Sequence, residues 1–251
     1  MQPIVAALPD KTALIEYTQT VVVEKIKAAI AQRGRCTIAL SGGSTPKPLY
    51  AALAKADLPW EKLYIFWGDE RYVPHEHPDS NFKMARESWL DHVAIPAGQV
   101  LAVATDADSP ETSAHQYQET LQQVFQSGPQ DVSIPSFDLI LLGMGDDGHT
   151  ASLFPHTPVL QETERWVAVG EKAGQPRITF TAPLINQART VIFLVAGANK
   201  QAALSQVFST TADPHQYPSM LVQPQGELYW MMDQDAAKGL PEQIDLAQTG
   251  E

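Results

Sequence analysis

The sequence predicts an α/β protein with a mostly parallel sheet flanked by helices. Two observations carry that prediction. Short apolar runs of strand length alternate along the chain with longer stretches whose apolar residues recur at helical spacing. Several of the runs also end in polar, glycine-bearing turns, as strands do where an open α/β sheet presents its loops. Together these features imply a Rossmann-like three-layer fold. With 251 residues, no internal repeat and no low-complexity linker, one domain over residues 1–251 is the simplest organisation.

Residues 4–8 suit a first short strand. Residues 11–32 read as a helix, with Leu14, Ile15, Val22, Ile26 and Ile30 at helical spacing and Gly34 to end it. A strand over 36–40 leads to a helix over 46–55 that opens at Pro46, a residue suited to a first helical position. A strand at 63–67, a helix at 81–90, a short strand at 100–102 and a helix at 110–126 follow, then a loop rich in turn residues to 136. Residues 137–142 and 190–195 carry the strongest strand patterns, and 166–169 and 177–181 carry weaker ones. A helix over 199–208, a strand over 228–232 and a loose tail over 234–251 complete the chain. The Trp and Phe residues follow strand periods and belong to the core.

Bulk properties narrow the function. Hydrophobic residues make up 44% of the chain, enough for a substantial core, and the formal net charge is -12. That charge argues against a general nucleic-acid or anionic-membrane surface, while leaving room for a locally positive pocket. The single cysteine, Cys36, excludes an internal disulfide and lies in an apolar run, as a buried structural thiol would. Residues 1–9 lack the basic start and apolar core of a signal peptide, and no apolar run approaches the roughly 18 residues of a membrane span. A soluble, cytoplasmic protein is expected.

The stretch with the most chemistry is Gly143 to Pro155, GMGDDGHTASLFP, directly after a strand. It presents Asp146, Asp147 and His149 at one turn. Imidazole titrates near neutrality, and a carboxylate beside it can orient it and stabilise its protonated form, as hydrolases require. Gly143, Gly145 and Gly148 also satisfy the dinucleotide fingerprint G-x-G-x-x-G. That reading fails because the two aspartates would repel a pyrophosphate and Pro155 interrupts the following helix too early. The same residues offer no zinc motif, and no G-x-S-x-G elbow occurs, so neither a metal site nor a serine hydrolase is expected.

Three further loops occupy comparable positions. Ser41, Gly42, Gly43, Ser44 and Thr45 precede Pro46 between a strand and a helix. The glycines permit close backbone approach, and Ser44 or Thr45 can cap the helix, whose N-terminus favours an anion. An ordinary capped turn has the same appearance. In the segment WGDERYV, Arg71 can bind an oxyanion or a phosphate, and Asp69 can orient it or act as acid or base. A solvated charge cluster is the plainer alternative. Lys200, after Gly197, can neutralise a phosphate at a helix start. Arg177, which opens a strand, is a weaker candidate of the same kind. His75 and His77 read as exposed loop residues.

These segments together resemble the 6-phosphogluconolactonase family. The resemblance rests on SGGSTP, WGDERYV, Ser80-Asn81, DLILLGMGDDGHTASLFP, Arg177-Ile178-Thr179 and GANK, in order from the first strand to Phe208. It implies hydrolysis of the δ-lactone of 6-phosphogluconate in the oxidative pentose phosphate pathway. His149 would act as general base on water, oriented by Asp147 or Asp69, and Arg71 would stabilise the oxyanion. Ser41 to Thr45, Lys200 and Arg177 would hold the substrate and its phosphate. It implies no cofactor, since hydrolysis moves no electrons. The related glucosamine-6-phosphate deaminases carry a glutamate five positions beyond the histidine, where this chain has Phe154. A deaminase or isomerase is therefore the competing enzyme, and a non-catalytic sugar-phosphate sensor the competing binding protein. No DNA-binding module accompanies the motifs.

Overall fold

The computed structural model describes residues 2–125 and 134–247. Its centre is a six-stranded sheet in the order β1-β9-β8-β5-β2-β3, every neighbouring pair parallel. The strands are β1 (Ile4–Leu8), β2 (Cys36–Leu40), β3 (Leu63–Trp67), β5 (Leu139–Gly143), β8 (Thr190–Val195) and β9 (Glu227–Asp233). β2 and β8 are buried at every residue. Strands covered on both faces read as continuous apolar runs, and this is why they were legible. Cys36 is fully buried, and burial pushes its thiol pKa up, out of reach of ordinary titration.

The helices are α1 (Lys11–Arg33), α2 (Lys47–Leu53), α3 (Asn81–Ser88), α4 (Pro110–Phe125), α5 (Ala182–Asn186), α6 (Gln201–Val207) and α7 (Gln234–Ala237). α1 shows how the sequence sets its own limits. Asp10 accepts a hydrogen bond from the Ala13 amide at 2.9 Å as N-cap, and Gly34 ends the helix at φ 76°. Its buried stripe, including Leu14, Ile15, Val22 and Ile26, packs on β1, β2 and β9. Each fully buried residue of this size contributes on the order of 1.5–3 kcal/mol.

A second, antiparallel sheet in the order β4-β7-β6 stands beside the first. It comprises β4 (Asp69–Arg71), β6 (Val167–Lys172) and β7 (Gln175–Phe180), with α4 packed on β6 and β7. β4 is absent from the sequence expectation, because three residues reading Asp-Glu-Arg have no strand signature of their own.

Other expectations need adjustment. The strand expected at 100–102 reduces to one bridge, Ile65 to Val100, with Leu101 donating to the Ile65 carbonyl at 2.8 Å. The chain makes too few ladder bonds there to continue as a strand. The helix expected from Pro46 begins at Lys47, with Pro46 as N-cap. The helix expected at 199–208 is a 3-10 turn, Ala198–Lys200, followed by α6. The tail expected to be loose contains α7, capped by Asp233, and Ala247 donates to the Val5 carbonyl at 2.7 Å. Residues 126 to 133 and 248–251, which include the end of the expected helix 110–126, lie outside the described residues. Among the described residues no helix is long and apolar enough to cross a membrane.

Candidate active site

Four loops leave the carboxyl ends of β2, β3, β5 and β8, which are consecutive in the sheet. From the adjacent β2 and β5 the chain departs in opposite directions, to β3 and to β8. Ligands bind beside such a reversal, because the diverging loops leave a crevice. Here a cleft of about 220 Å³ opens there, and all four loops contribute to its lining.

The loop after β2 supplies Ser41, Gly42, Gly43, Ser44 and Thr45 to the cleft. Buried Tyr50 fixes its start: the phenol donates to the Ser41 carbonyl at 2.7 Å and accepts from the Ser41 amide at 3.0 Å. Gly42 is required by its neighbour, since a Cβ there would lie 1.8 Å from Asn81 Oδ1. The Ser41 hydroxyl is buried and has no hydrogen-bond partner among the described residues. Neither Ser44 nor Thr45 caps α2, contrary to expectation. Pro46 takes the N-cap place with helical dihedrals, and no side-chain cap bond forms. Both residues face the cleft instead.

The loop after β3 becomes β4 and brings Asp69 and Arg71 to the cleft. Asp69 is buried, and its Oδ2 accepts from Ser152 Oγ at 2.8 Å. Arg71 donates from Nη1 to the Asp79 carbonyl at 2.5 Å. It lies opposite Arg177 in the β4–β7 register. Arg177 is not part of the cleft lining, and its buried Nε has no partner among the described residues. Burial, and then the charge of Arg71, holds its guanidinium pKa below the ordinary arginine range.

Between these residues, Glu70 anchors the corner. It is 1% exposed and accepts from the amides of Arg71 (2.7 Å), Asn81 (2.8 Å) and Phe82 (2.7 Å) and from Ser80 Oγ (3.1 Å). Burial raises its pKa, and the amide bonds work against that rise. Asn81, at the start of α3, lines the cleft and donates to the Asp69 carbonyl at 2.9 Å. Glu70, Ser152 and the role of Asn81 were missed in the sequence. The available signal was the position of Ser80-Asn81 at a helix start, where Ser80 caps α3.

The loop after β5 carries the imidazole. The Gly145 amide donates to the His149 carbonyl at 2.8 Å, and the Thr150 hydroxyl donates to the Gly143 carbonyl at 2.8 Å, closing the turn. Asp147 Oδ1 accepts from the His149 amide at 3.1 Å and lies 2.5 Å from His149 Nδ1. A carboxylate only accepts, so Nδ1 carries the proton and Nε2 is left as the basic nitrogen. Gly145 makes this geometry fit, since a Cβ there would lie 2.1 Å from His149 Nδ1. Asp147 is half-buried. Burial opposes its ionisation, but the hydrogen bonds from the His149 ring and amide outweigh burial and hold the carboxyl below its usual range. His149 and Asp147 are not themselves in the cleft lining, which takes Gly143, Met144 and Ala151 from the same loop. Asp147, not Asp69, is therefore the partner of His149. Asp146 is exposed.

After β8, Gly197 donates its amide to Asp233 at 3.0 Å and adopts φ 98°. The following 3-10 turn sets Lys200, half-buried, into the cleft lining. His77 is exposed as expected. His75 is not: its Nε2 lies 2.7 Å from the Val103 carbonyl, and its ring packs on Phe82. Among the described residues, no three of the types His, Cys, Asp and Glu gather as a metal site would need.

Residues 9–230 match the family model described as glucosamine-6-phosphate isomerases/6-phosphogluconolactonase. Proteins named 6-phosphogluconolactonase from Synechocystis sp. and Nostoc sp. are 57% and 56% identical over 240 residues, covering 96% of this chain and 99% of each relative. The chain belongs to the 6-phosphogluconolactonase family. A solved 6-phosphogluconolactonase from Trypanosoma cruzi has the same fold, with a TM-score of 0.84 at 30% identity, covering 94% of this chain and 96% of that one. In this lactonase-family chain, Phe154 is 7% exposed and its ring centroid lies 4.6 Å from that of His149. The position thus packs an apolar ring on the imidazole and offers no proton.

Proposed function

We propose that this chain hydrolyses the δ-lactone of 6-phosphogluconate, the ester step of the oxidative pentose phosphate pathway, with His149 as general base. The observation that carries the reading is the 2.5 Å contact between His149 Nδ1 and Asp147 beside a cleft lined by Arg71 and Lys200. Neutral His149 takes a proton at Nε2 from water as its oxygen adds to the lactone carbonyl. Asp147 stabilises the resulting imidazolium, and Arg71 stabilises the tetrahedral oxyanion. Collapse breaks the bond to the ring oxygen, which takes the proton back from His149. The product is a hydroxy acid that ionises to the carboxylate. A positioned proton transfer of this kind contributes about 10²–10⁴-fold.

Ser41 to Thr45 and Lys200 hold the 6-phosphate. The unpartnered Ser41 hydroxyl supports this placement, as does the half-buried Lys200 ammonium. Arg177, like-charged and cross-strand to Arg71, adds cationic character that an anionic substrate offsets. The chain is an ester hydrolase in this reading and uses no cofactor.

The test is an assay with freshly made 6-phosphogluconolactone, corrected for spontaneous hydrolysis, beside an ammonia assay with glucosamine 6-phosphate. Fast lactone opening with no ammonia is expected. Ammonia release at a comparable rate would overturn the assignment.

A further inference from the structure

β6 and β7 form a hairpin that turns at Ala173 (φ 51°) and Gly174 (φ 77°). Its tip reaches the imidazole-bearing loop. Lys172, the last residue of β6, places Nζ 4.0 Å from Asp147 Oδ2 and 5.1 Å from the centroid of the Phe154 ring. Asp147 turns its other oxygen to His149, and Phe154 packs on the His149 ring. Lys172, Asp147, His149 and Phe154 thus close a ring of contacts, with the lysine as the member from another element.

We propose that Lys172 is a positioning residue for the His149–Asp147 pair: it stands at ion-pair distance from the outer oxygen of Asp147 and places a positive charge beside the pair. This deepens the reading of His149 as base and rests on it. The ammonium partly offsets the carboxylate, so adding a proton to the pair is less favourable with Lys172 than without it. Removing the ammonium should therefore favour protonation of the pair.

Other groups around the pair are placed differently. Asp146, in the same turn, is exposed. Glu171 alternates to the other face of β6. Asp69 is engaged by Ser152, and Arg71 by the Asp79 carbonyl. Tyr217 packs on Gly148. Arg177 lies across the small sheet from Arg71, and Lys200 enters the cleft from the β8 loop. Among the described residues, Lys172 is the cation other than His149 within 4.0 Å of Asp147.

The experiment compares the full chain with Lys172→Gln and Lys172→Arg, reading kcat and KM against pH and following the His149 ring by NMR titration. A unit charge several ångströms away in a water-like medium moves a titration by about half a pH unit. In Lys172→Gln the acid limb of kcat and the NMR midpoint should both rise by about that amount, with KM on the plateau unchanged. Lys172→Arg should restore both. In 1 M salt the difference should shrink, since the side chain is 48% exposed. An NMR midpoint unmoved in Lys172→Gln overturns the proposal, as does a shift that Lys172→Arg shares. A rise in KM alone also overturns it, making Lys172 a substrate contact. Full turnover by His149→Ala would instead remove the base reading, while the NMR midpoint would still report the coupling.

Discussion

At the scale of single residues, the proposed reaction assigns the proton to His149 and Asp147 and the substrate's negative charge to Arg71 and Lys200. His149 and Asp147 were readable because G-x-G-D-D-G-H places them two positions apart in a turn, and a carboxylate at that spacing reaches both the amide and the ring. Lys200 was readable only as a lysine after a glycine turn. The fold gives it meaning by bringing the β8 loop to the same cleft as the β2 loop, across β5. Lys200→Ala should raise KM for the phosphorylated lactone by roughly ten- to a hundredfold, the equivalent of a charge-assisted hydrogen bond of about 1.5–3 kcal/mol. The unphosphorylated lactone should be nearly unaffected. Parallel Michaelis curves for the two substrates check this, and equal losses on both would detach Lys200 from the phosphate.

At the scale of elements, the corner between β4 and α3 determines where Arg71 and Asn81 stand. Glu70 satisfies three backbone amides and one hydroxyl there while almost wholly buried. Glu70→Ala would leave those donors without their acceptor, each at about 1–3 kcal/mol, so a loss of 3 kcal/mol or more in urea unfolding is expected. A loss below 1 kcal/mol would show that the corner is held otherwise. This corner is also where the sequence was least legible. An Asp-Glu-Arg run looks solvated, because its burial depends on pairing with β7, more than a hundred residues later. The parallel strands were legible for the opposite reason: both faces are covered, so their composition alone reports their place. In the described part of the tail, residues 234–247, the Asp233 cap and the bond to Val5 of β1 leave no apolar period in the sequence.

At the scale of the whole molecule, a chain of net charge -12 carries a cleft where four parallel strands end, with Arg71, Lys200 and Asp69 in its lining. Acid should act on the fold through its bonded carboxylates. At Glu162 burial opposes ionisation, but the amides of Arg165 and Glu164 and the Arg165 side chain hold the pKa down to about 2. A depressed carboxylate stabilises fully above its unfolded value, about 4.5, and loses that contribution as pH falls toward 2. Glu162→Gln should therefore lower Tm at neutral pH and flatten the Tm profile between those limits; an unchanged profile would discount the carboxylate. The proposed role of the His149 imidazole is tested by the initial rate of 6-phosphogluconolactone hydrolysis by His149→Ala, with near-ultraviolet circular dichroism confirming the native fold. A kcat lower by roughly two or more orders of magnitude is expected. Near-normal turnover by the folded variant would contradict it.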